Sequence, residues 1–132
     1  MIEIKEKHTL DILSPRVINS THSWMNSNNN LTIHNFLEVY CLLVNPVGFF
    51  KFCSMHTIEN KWMWGVDMLF GYYNVRAGVI HRFEVNHMLP SNSNHGEALH
   101  LMNIYIQSKT KYANMDEIQS VFQIIKEQIN DV

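Results

Sequence analysis

Histidine is the residue type best suited to chemistry in this 132-residue chain, which contains eight of them. Imidazole acts as a general acid or base near neutral pH and is a common zinc ligand. His81 and His87 lie on one face of a predicted strand, but six residues of strand separate them by about 20 Å. His95 and His100 lie near a polar loop and would need Glu97 to complete a metal site. We therefore predict half-buried sheet histidines and assign no metal site.

The sequence motifs of common enzyme classes are absent. The chain has no Walker loop, no Rossmann glycine fingerprint, no His-Glu-x-x-His and no Gly-x-Ser-x-Gly. It also has no Cys-x-x-Cys pair on which a structural zinc site could be built. We therefore expect a protein that is not an enzyme, with no catalytic residues and no cofactor. The alternative is a small enzyme or small-molecule-binding domain with a pocket lined by His81, His87, Trp64 and Tyr105.

Aromatic side chains cluster between positions 62 and 73. Trp and Tyr are enriched at the centres of protein interfaces, and Trp62 and Trp64 would point to the same side of a strand. That side faces either the core or a partner. Acidic side chains of this protein could mimic phosphates towards a basic partner and speed association. The partner-binding residues predicted from these two patterns are Glu59, Trp62, Trp64, Asp67, Tyr72, Tyr73, Glu84 and Glu97.

The charge balance bears on the class of partner. The net charge is −2 with neutral histidines and the pI is about 6.4, so the chain has no basic surplus to bind nucleic acid. A mildly acidic protein is compatible with a basic partner. The first residues lack the apolar segment of a signal peptide, and no stretch reaches the roughly 18 apolar residues of a membrane span. We expect a cytoplasmic protein that does not bind membranes.

Two cysteines, Cys41 and Cys53, lie among apolar or aromatic residues. A free cysteine behaves as a small hydrophobic residue and is often buried. Because no secretory signal is visible, a disulfide is disfavoured. We predict two free, buried thiols.

Two segments have the apolar spacing of amphipathic helices. The first covers 32–44, where apolar residues fall at i, i+3, i+4, i+7, i+8 and i+11, with Asn30 or Thr32 as the cap. The second covers 115–130, where Asn114 and Glu117 have the spacing of a capping box. The apolar stripe of the second helix comprises Ile118, Val121, Phe122, Ile125 and Ile129.

Alternating or aromatic-rich segments predict the strands. Residues 2–13 alternate apolar and polar side chains and end at Ser14-Pro15, before a polar loop over 16–30. Residues 98–108 are ambiguous between helix and strand, and the run Ile104-Tyr105-Ile106 favours a strand. The other predicted strands are 49–58, 61–70, 72–75 and 79–89.

This order of elements predicts an α+β fold in a single domain, 1–132. The connections inside the strand block are too short for parallel crossovers, so an antiparallel sheet of about five strands is expected. The two main helices, 32–44 and 115–130, would pack on it and form a two-layer domain.

The absence of catalytic motifs and the predicted binding surface favour a protein-binding inhibitor. In size and character, over its whole length, the chain is similar to small bacterial immunity proteins, which block the active site of a toxin. This resemblance implies another protein as the partner, such as the basic nuclease domain of a toxin. A structural homo-oligomer, closed through a sheet edge or the Trp face, is a further alternative.

Overall fold

A computed structural model describes residues 1–19, 27–37, 39, 41–88, 94–122 and 125–130. Within these ranges it contains both helices and strands, with three strands in succession after the first helix. The helices are α1 (Ile2–Lys7), α2 (Pro46–Met55), α3 (His95–Lys109) and α4 (Met115–Val121), with one turn of 3-10 helix at Asp67–Leu69. The strands are β1 (Ile12–Ile18), β2 (Leu31–His34), β3 (Leu43–Val44), β4 (Ala77–Asn86) and β5 (Ile125–Ile129).

The five strands form one sheet in the order β3-β1-β4-β2-β5. β1 and β4 are parallel, and the other three neighbouring pairs are antiparallel. The predicted α+β class and the number of strands are therefore confirmed, and the sheet is mostly antiparallel. The parallel pair was not expected because β1 was not paired with the strand block in the prediction. The chain between β1 and β4 is long enough for a parallel crossover.

The two faces of the sheet bury different clusters. On one face, Ile12 and Val79 pack against residues of α2, α3 and α4. On the other face, Leu13 and Ile80 pack with Ile4 of α1. The faces alternate residue by residue along β1 and β4, as the two-residue period of a strand requires. Residues of α2, α3 and α4 therefore cover one face, and α1 contributes to the other.

Pro15 lies inside β1, which is an inner strand of the sheet. Proline has no N–H to donate and is tolerated in inner strands at bulges. The register shifts between Pro15 and Arg16: Pro15 is opposite Ile80, whereas Arg16 is opposite Glu84. The prediction that Ser14-Pro15 ends the first strand was therefore wrong, because the bulge lets β1 continue to Ile18.

The helix predicted over 32–44 is wrong in the residues that the structure describes. Leu31–His34 is a strand buried on both faces, and Leu43–Val44 is another strand. β2 bonds to β4 on one side and β5 on the other, so tertiary pairing outweighs the helical spacing of the apolar residues. Tyr40, one residue of the predicted stripe, lies outside the described residues.

The helix predicted over 115–130 is correct only in its first half. Asn114 caps α4 as expected, its side chain accepting from the Glu117 N–H at 3.1 Å, but α4 ends at Val121. Ile125–Ile129 is instead β5. A spacing of four residues fits one face of a helix, but in β5 a register shift separates the two residues, so that Ile129 lies opposite Leu31 and Ile125 opposite His34.

The strand predicted over 49–58 is wrong because the chain has a strong helix start before it. Asn45 accepts a hydrogen bond from the Gly48 N–H at 2.6 Å, and Pro46 occupies the first turn of α2. Asparagine at the N-cap and proline at the first position both favour a helix.

The remaining strand predictions had mixed outcomes. The strand expected over 79–89 is confirmed over 79–86 as part of β4, which ends at Asn86; His87 and Met88 follow the strand, and Leu89 lies outside the described residues. The segments 61–70 and 72–75 are turns around the 3-10 helix, with Met63, Gly65 and Asn74 at positive φ. Residues 2–7 and 98–108 are helical, so the first part of the N-terminal strand prediction and the strand preference for 98–108 are wrong.

Candidate functional site

α2 exposes large apolar side chains on a well-anchored helix. Phe49 is 54% exposed, Phe50 is 72% exposed and Val47 is 58% exposed. The rings of Phe49 and Phe50 contact each other edge to face, with centroids 6.2 Å apart. Cys53, one turn beyond Phe49, is also exposed. We refer to Val47, Phe49, Phe50 and Cys53 as the α2 apolar face.

The opposite side of α2 is fixed to the rest of the protein. Phe52 packs edge to face on Phe70, with ring centroids 6.4 Å apart, and Met55 is fully buried. Lys51 is the one charged residue of α2, and its Nζ bonds to Asp11 Oδ2 at 2.8 Å and to the Asn74 carbonyl at 3.0 Å. The α2 apolar face itself therefore carries no charge.

The start of α2 is packed tightly against the chain that leads into β1. A Cβ atom on Gly48 would lie 2.5 Å from the Asp11 carbonyl oxygen, so only glycine fits at this position. Asn45 bonds to the same segment twice, through its N–H to the Asp11 carbonyl and through Nδ2 to the Leu10 carbonyl. The apolar face is thus presented by a helix with a fixed orientation.

The exposure of Cys53 corrects one prediction from the sequence. Both cysteines are free, as expected, but both are exposed. Cys41 lines an open hollow of about 580 Å³ together with residues 1–3 and 42–43. Apolar neighbours in sequence did not imply burial here because α2 turns much of its apolar surface outward.

Trp62 and Trp64 both contact the first turn of α3, and both are half-buried. Trp62 Nε1 donates to Glu97 Oε2 at 3.2 Å, and Trp64 meets the His95 ring edge to face at 5.1 Å. Lys61 pairs with Glu97 at 2.7 Å. This bond to Lys61, and then that to Trp62, hold the pKa of Glu97 below its ordinary value. The structure therefore brings Trp62 and Glu97 together, two of the predicted binding residues.

Tyr72 and Tyr73 form a second aromatic group. Their rings lie 5.2 Å apart, and Tyr72 also contacts Tyr112 at 6.3 Å. Tyr73 donates its hydroxyl to the Lys109 carbonyl at 3.3 Å, and burial followed by the neighbouring Tyr72 raises the pKa of Tyr73. Tyr72 is the more exposed of the two predicted binding tyrosines.

The other predicted acids lie in different surroundings. Glu84 on β4 forms an ion pair with Arg16 on β1, across the bulge. Asp67 begins the 3-10 helix, where its side chain accepts from the Met68 N–H at 3.1 Å. Glu59 is exposed, next to Ile58, which is 92% exposed. Glu84 and Glu97 thus already have cationic partners within the protein.

A buried polar network lies on the sheet, and only one of its members was singled out from the sequence. Thr32 Oγ1 is 2.6 Å from His34 Nε2 and 2.7 Å from His81 Nε2. Thr32 and His34 on β2 are at most 1% exposed, and His81 on β4 is 8% exposed. His81 was predicted to be half-buried and is buried. His34 was missed because the predicted helix covered it, although the alternation from Leu31 to His34 was the available signal.

The network has the electrostatics of a neutral, buried pair of imidazoles. Burial first, and the neighbouring His81 second, lower the pKa of His34 to about 4. Burial and then the Arg16 guanidinium lower the pKa of His81. Among the residues that the structure describes, the Nδ1 atoms of both rings and Arg16 Nε are buried without a hydrogen-bond partner.

The residues proposed for an alternative small-molecule pocket have separate environments. Tyr105 donates its hydroxyl to the Met55 carbonyl in the core, whereas His81 bonds to Thr32 and Trp64 packs on His95. Within the described ranges, no group of three or more His, Cys, Asp or Glu side chains is arranged to hold a metal ion.

Comparison with known proteins gives no assignment. The chain matches no protein-family model, no curated protein and no solved structure. In the part of the chain that the structure describes, no helix combines the length and apolar character needed to span a bilayer.

Proposed function

We propose that this protein binds and inhibits another protein, in the manner of an immunity protein that blocks a toxin's active site, and that the α2 apolar face is its main contact. The observation that carries the proposal is the exposure of Phe49 and Phe50 on an anchored helix. Exposed aromatic side chains that enter a partner's pocket commonly contribute most of the binding free energy of an interface. Grouped apolar residues on a protein surface frequently mark such an interface.

The anchoring of α2 supports a binding role. Gly48 and Asn45 hold the helix against the residues before β1, so its apolar face does not need to be ordered on binding. A preorganised face avoids the entropy cost of fixing a mobile segment. The expected partner has an apolar cleft that accepts the two phenylalanine rings.

The charge of the protein supports a basic partner such as a nuclease domain. The net charge is −2, and Glu59 is exposed beside the exposed Ile58. Acidic side chains around an apolar contact accelerate association with a basic protein. Because Glu84 and Glu97 are paired with Arg16 and Lys61, we assign them a smaller part in binding than Glu59.

The test is a comparison of two matched double variants in affinity capture from the source organism. Phe49→Gln with Phe50→Gln removes the α2 aromatic pair, and Leu99→Gln with Ile104→Gln removes two exposed apolar side chains from α3. Glutamine keeps the helix propensity in both cases. The wild type and the α3 variant should retain one stoichiometric partner, whose activity they suppress. The α2 variant should bind on the order of 100-fold or more weakly, since two hot-spot residues are lost.

Two results would contradict the proposal. Equal capture by the α2 and α3 variants would mean that the α2 apolar face is not the contact. A wild-type dimer in light scattering, converted to a monomer by the α2 variant, would mean that the face joins two copies of this chain and that the homo-oligomer alternative is correct.

A further inference from the structure

We propose that the buried Thr32–His34–His81 network is an acid-sensitive lock, which holds β2 against β4 while both imidazoles are neutral and releases β2 and β5 when they are protonated. The proposal does not depend on the identity of a binding partner. It rests on the hydrogen-bonding capacity of one hydroxyl group, on two buried ring nitrogens and on the position of β2 in the sheet.

The Thr32 hydroxyl can satisfy both rings while they are neutral. A hydroxyl oxygen has two lone pairs and one proton, so it can accept an N–H from both rings but can donate to at most one of them. When the Nε2 atoms of His34 and His81 both donate, at 2.6 and 2.7 Å, each neutral ring carries its proton on Nε2 and none on Nδ1. This arrangement leaves no N–H of either ring without a partner, because the two buried Nδ1 atoms carry no proton.

Protonation of either ring disturbs the network. A proton added to either ring goes to Nδ1, which is buried and, among the described residues, has no acceptor. A buried charged group without a hydrogen-bond partner is strongly unfavourable, so acid acts against the folded arrangement.

The charged groups around the two rings do not offset this cost. Arg16 on β1 is positive and opposes a charge on His81, while Glu84 is already paired with Arg16. On β5, uncharged Gln128 is opposite Thr32 and Ile125 is opposite His34. On β5, Lys126 is exposed and positive, and Glu127 pairs with Arg76. In the helical layer, Lys51 pairs with Asp11, Glu97 pairs with Lys61, and Tyr73 and Asp67 act on Tyr105.

Because of the position of β2 in the sheet, protonation at the network would release two strands at one edge. β2 has four residues and lies between β4 and β5, and in the described part of the chain β5 pairs only with β2. If β2 separates from β4, β5 loses its connection to the rest of the sheet. Protonation of two side chains would therefore free two strands, and β1, β3 and β4 would keep their pairing.

The direction of the pKa shifts agrees with the proposal. Burial lowers the pKa of His34 to about 4, from 6.5, and lowers that of His81. A histidine whose pKa is lower in the folded protein does not affect stability above about pH 6.5, but it reduces stability as the pH falls towards 4. For His34 alone, the folding equilibrium constant should fall about 30-fold between pH 8 and pH 5.

Urea unfolding at pH 8 and pH 5 tests the lock in the full-length protein. The wild type should lose at least about 30-fold in its folding equilibrium constant over this interval. His34→Gln keeps an amide near the Nε2 position but cannot titrate, so its loss should be smaller by about that factor. His100→Gln, an exposed position on α3, should behave as the wild type. His56, whose pKa burial also lowers, contributes equally to all three proteins.

Two measurements on the wild type keep the proposal testable if His34→Gln does not fold. In NMR titrations of the folded protein, the His34 ring should stay neutral at pH 5.5, and the pKa of His81 should lie below its ordinary value of 6.5. Amide hydrogen exchange, corrected for the intrinsic effect of pH, should become faster at pH 5 in β2, in β5 and at the β4 amides that bond to the β2 side, such as His81, but not in β1. Normal titration of both rings near pH 6.5 in the folded protein, or unchanged protection of β2 and β5, would overturn the proposal.

Discussion

At the scale of single residues, the Thr32 hydroxyl is the hydrogen-bond partner of two buried imidazoles. Thr32→Val keeps the shape and the β-branched side chain but leaves both Nε2 atoms without this partner. Buried polar groups left unpaired cost about 1–3 kcal/mol. We expect a loss of that size in the free energy of unfolding, measured with urea at pH 7.5.

The same substitution at Thr57 is the control for the loss of a hydroxyl group. Thr57 is half-buried and lies outside the sheet, just beyond α2. Thr57→Val should change the free energy of unfolding by less than about 0.5 kcal/mol. If the two variants are equally stable, the Thr32 hydroxyl is not what satisfies the two rings.

Some single residues of the candidate sites could be predicted from the sequence, and others could not. The half-buried position predicted for His81 was close to its place on β4, because that strand has clear alternation. The partners of His81 could not be found, since Thr32 is 49 residues away and was assigned to a helix. Phe49 and Phe50 were assigned to a strand and treated as part of the sheet. Side-chain exposure depends on which helix or strand a residue joins, so the wrong helix over 32–44 hid the buried network and the wrong strand over 49–58 hid the exposed phenylalanines.

At the scale of elements, α2 and the segment before β1 approach too closely for any side chain at Gly48. A Cβ atom there would be 2.5 Å from a backbone carbonyl oxygen, which cannot move without shifting the start of β1. Gly48→Ala should destabilise the protein by about 1–3 kcal/mol, as overpacking in a tight site does. Thermal or urea unfolding measures the change.

Gly96→Ala in the first turn of α3 is the matched substitution. The nearest atom to a Cβ there is 3.7 Å away, which is an ordinary contact. Replacing a helical glycine by alanine at an unstrained site should leave stability unchanged or raise it by up to about 1 kcal/mol. If both alanine variants are destabilised to the same extent, the close approach at Gly48 does not determine the loss of stability.

Local signals predicted the elements correctly where one periodicity dominated. β4 alternates over several residues, and Asn114 and Glu117 mark the start of α4. β2 was missed although Leu31 to His34 alternate apolar and polar side chains, because four residues are a short signal and the helical spacing over 32–44 covered most of them. β5 could not be separated from a helix because its apolar residues are four apart. In both strands the deciding hydrogen bonds go to partners distant in sequence.

At the scale of the whole molecule, one hydrogen bond connects the two longest helices. The Tyr105 hydroxyl of α3 donates to the Met55 carbonyl at the end of α2, and both residues are buried. Burial, and then Tyr73 and Asp67, raise the pKa of Tyr105, so its hydroxyl keeps its proton.

Tyr105→Phe should lower the free energy of unfolding by about 1–3 kcal/mol, because the buried Met55 carbonyl loses its donor. Urea unfolding at neutral pH is the measurement. Tyr72→Phe, at a position 36% exposed, should change the same quantity by less than about 0.5 kcal/mol. If Tyr105→Phe leaves the free energy of unfolding unchanged, packing alone joins α2 to α3.

The parallel pairing of β1 with β4 has a consequence for synthesis of the protein on the ribosome. Ile12 pairs with Ala77, about 65 residues further along the chain. At roughly 5–20 residues per second, β1 waits about 3–13 s after it is made before its central neighbour exists. During that time, of its two neighbours in the sheet, only the two-residue β3 can pair with β1, and the apolar side chains Ile12, Leu13 and Val17 lack the neighbour that covers most of the strand. The nascent chain therefore carries an aggregation-prone strand, and expression should improve at low temperature or with added chaperone.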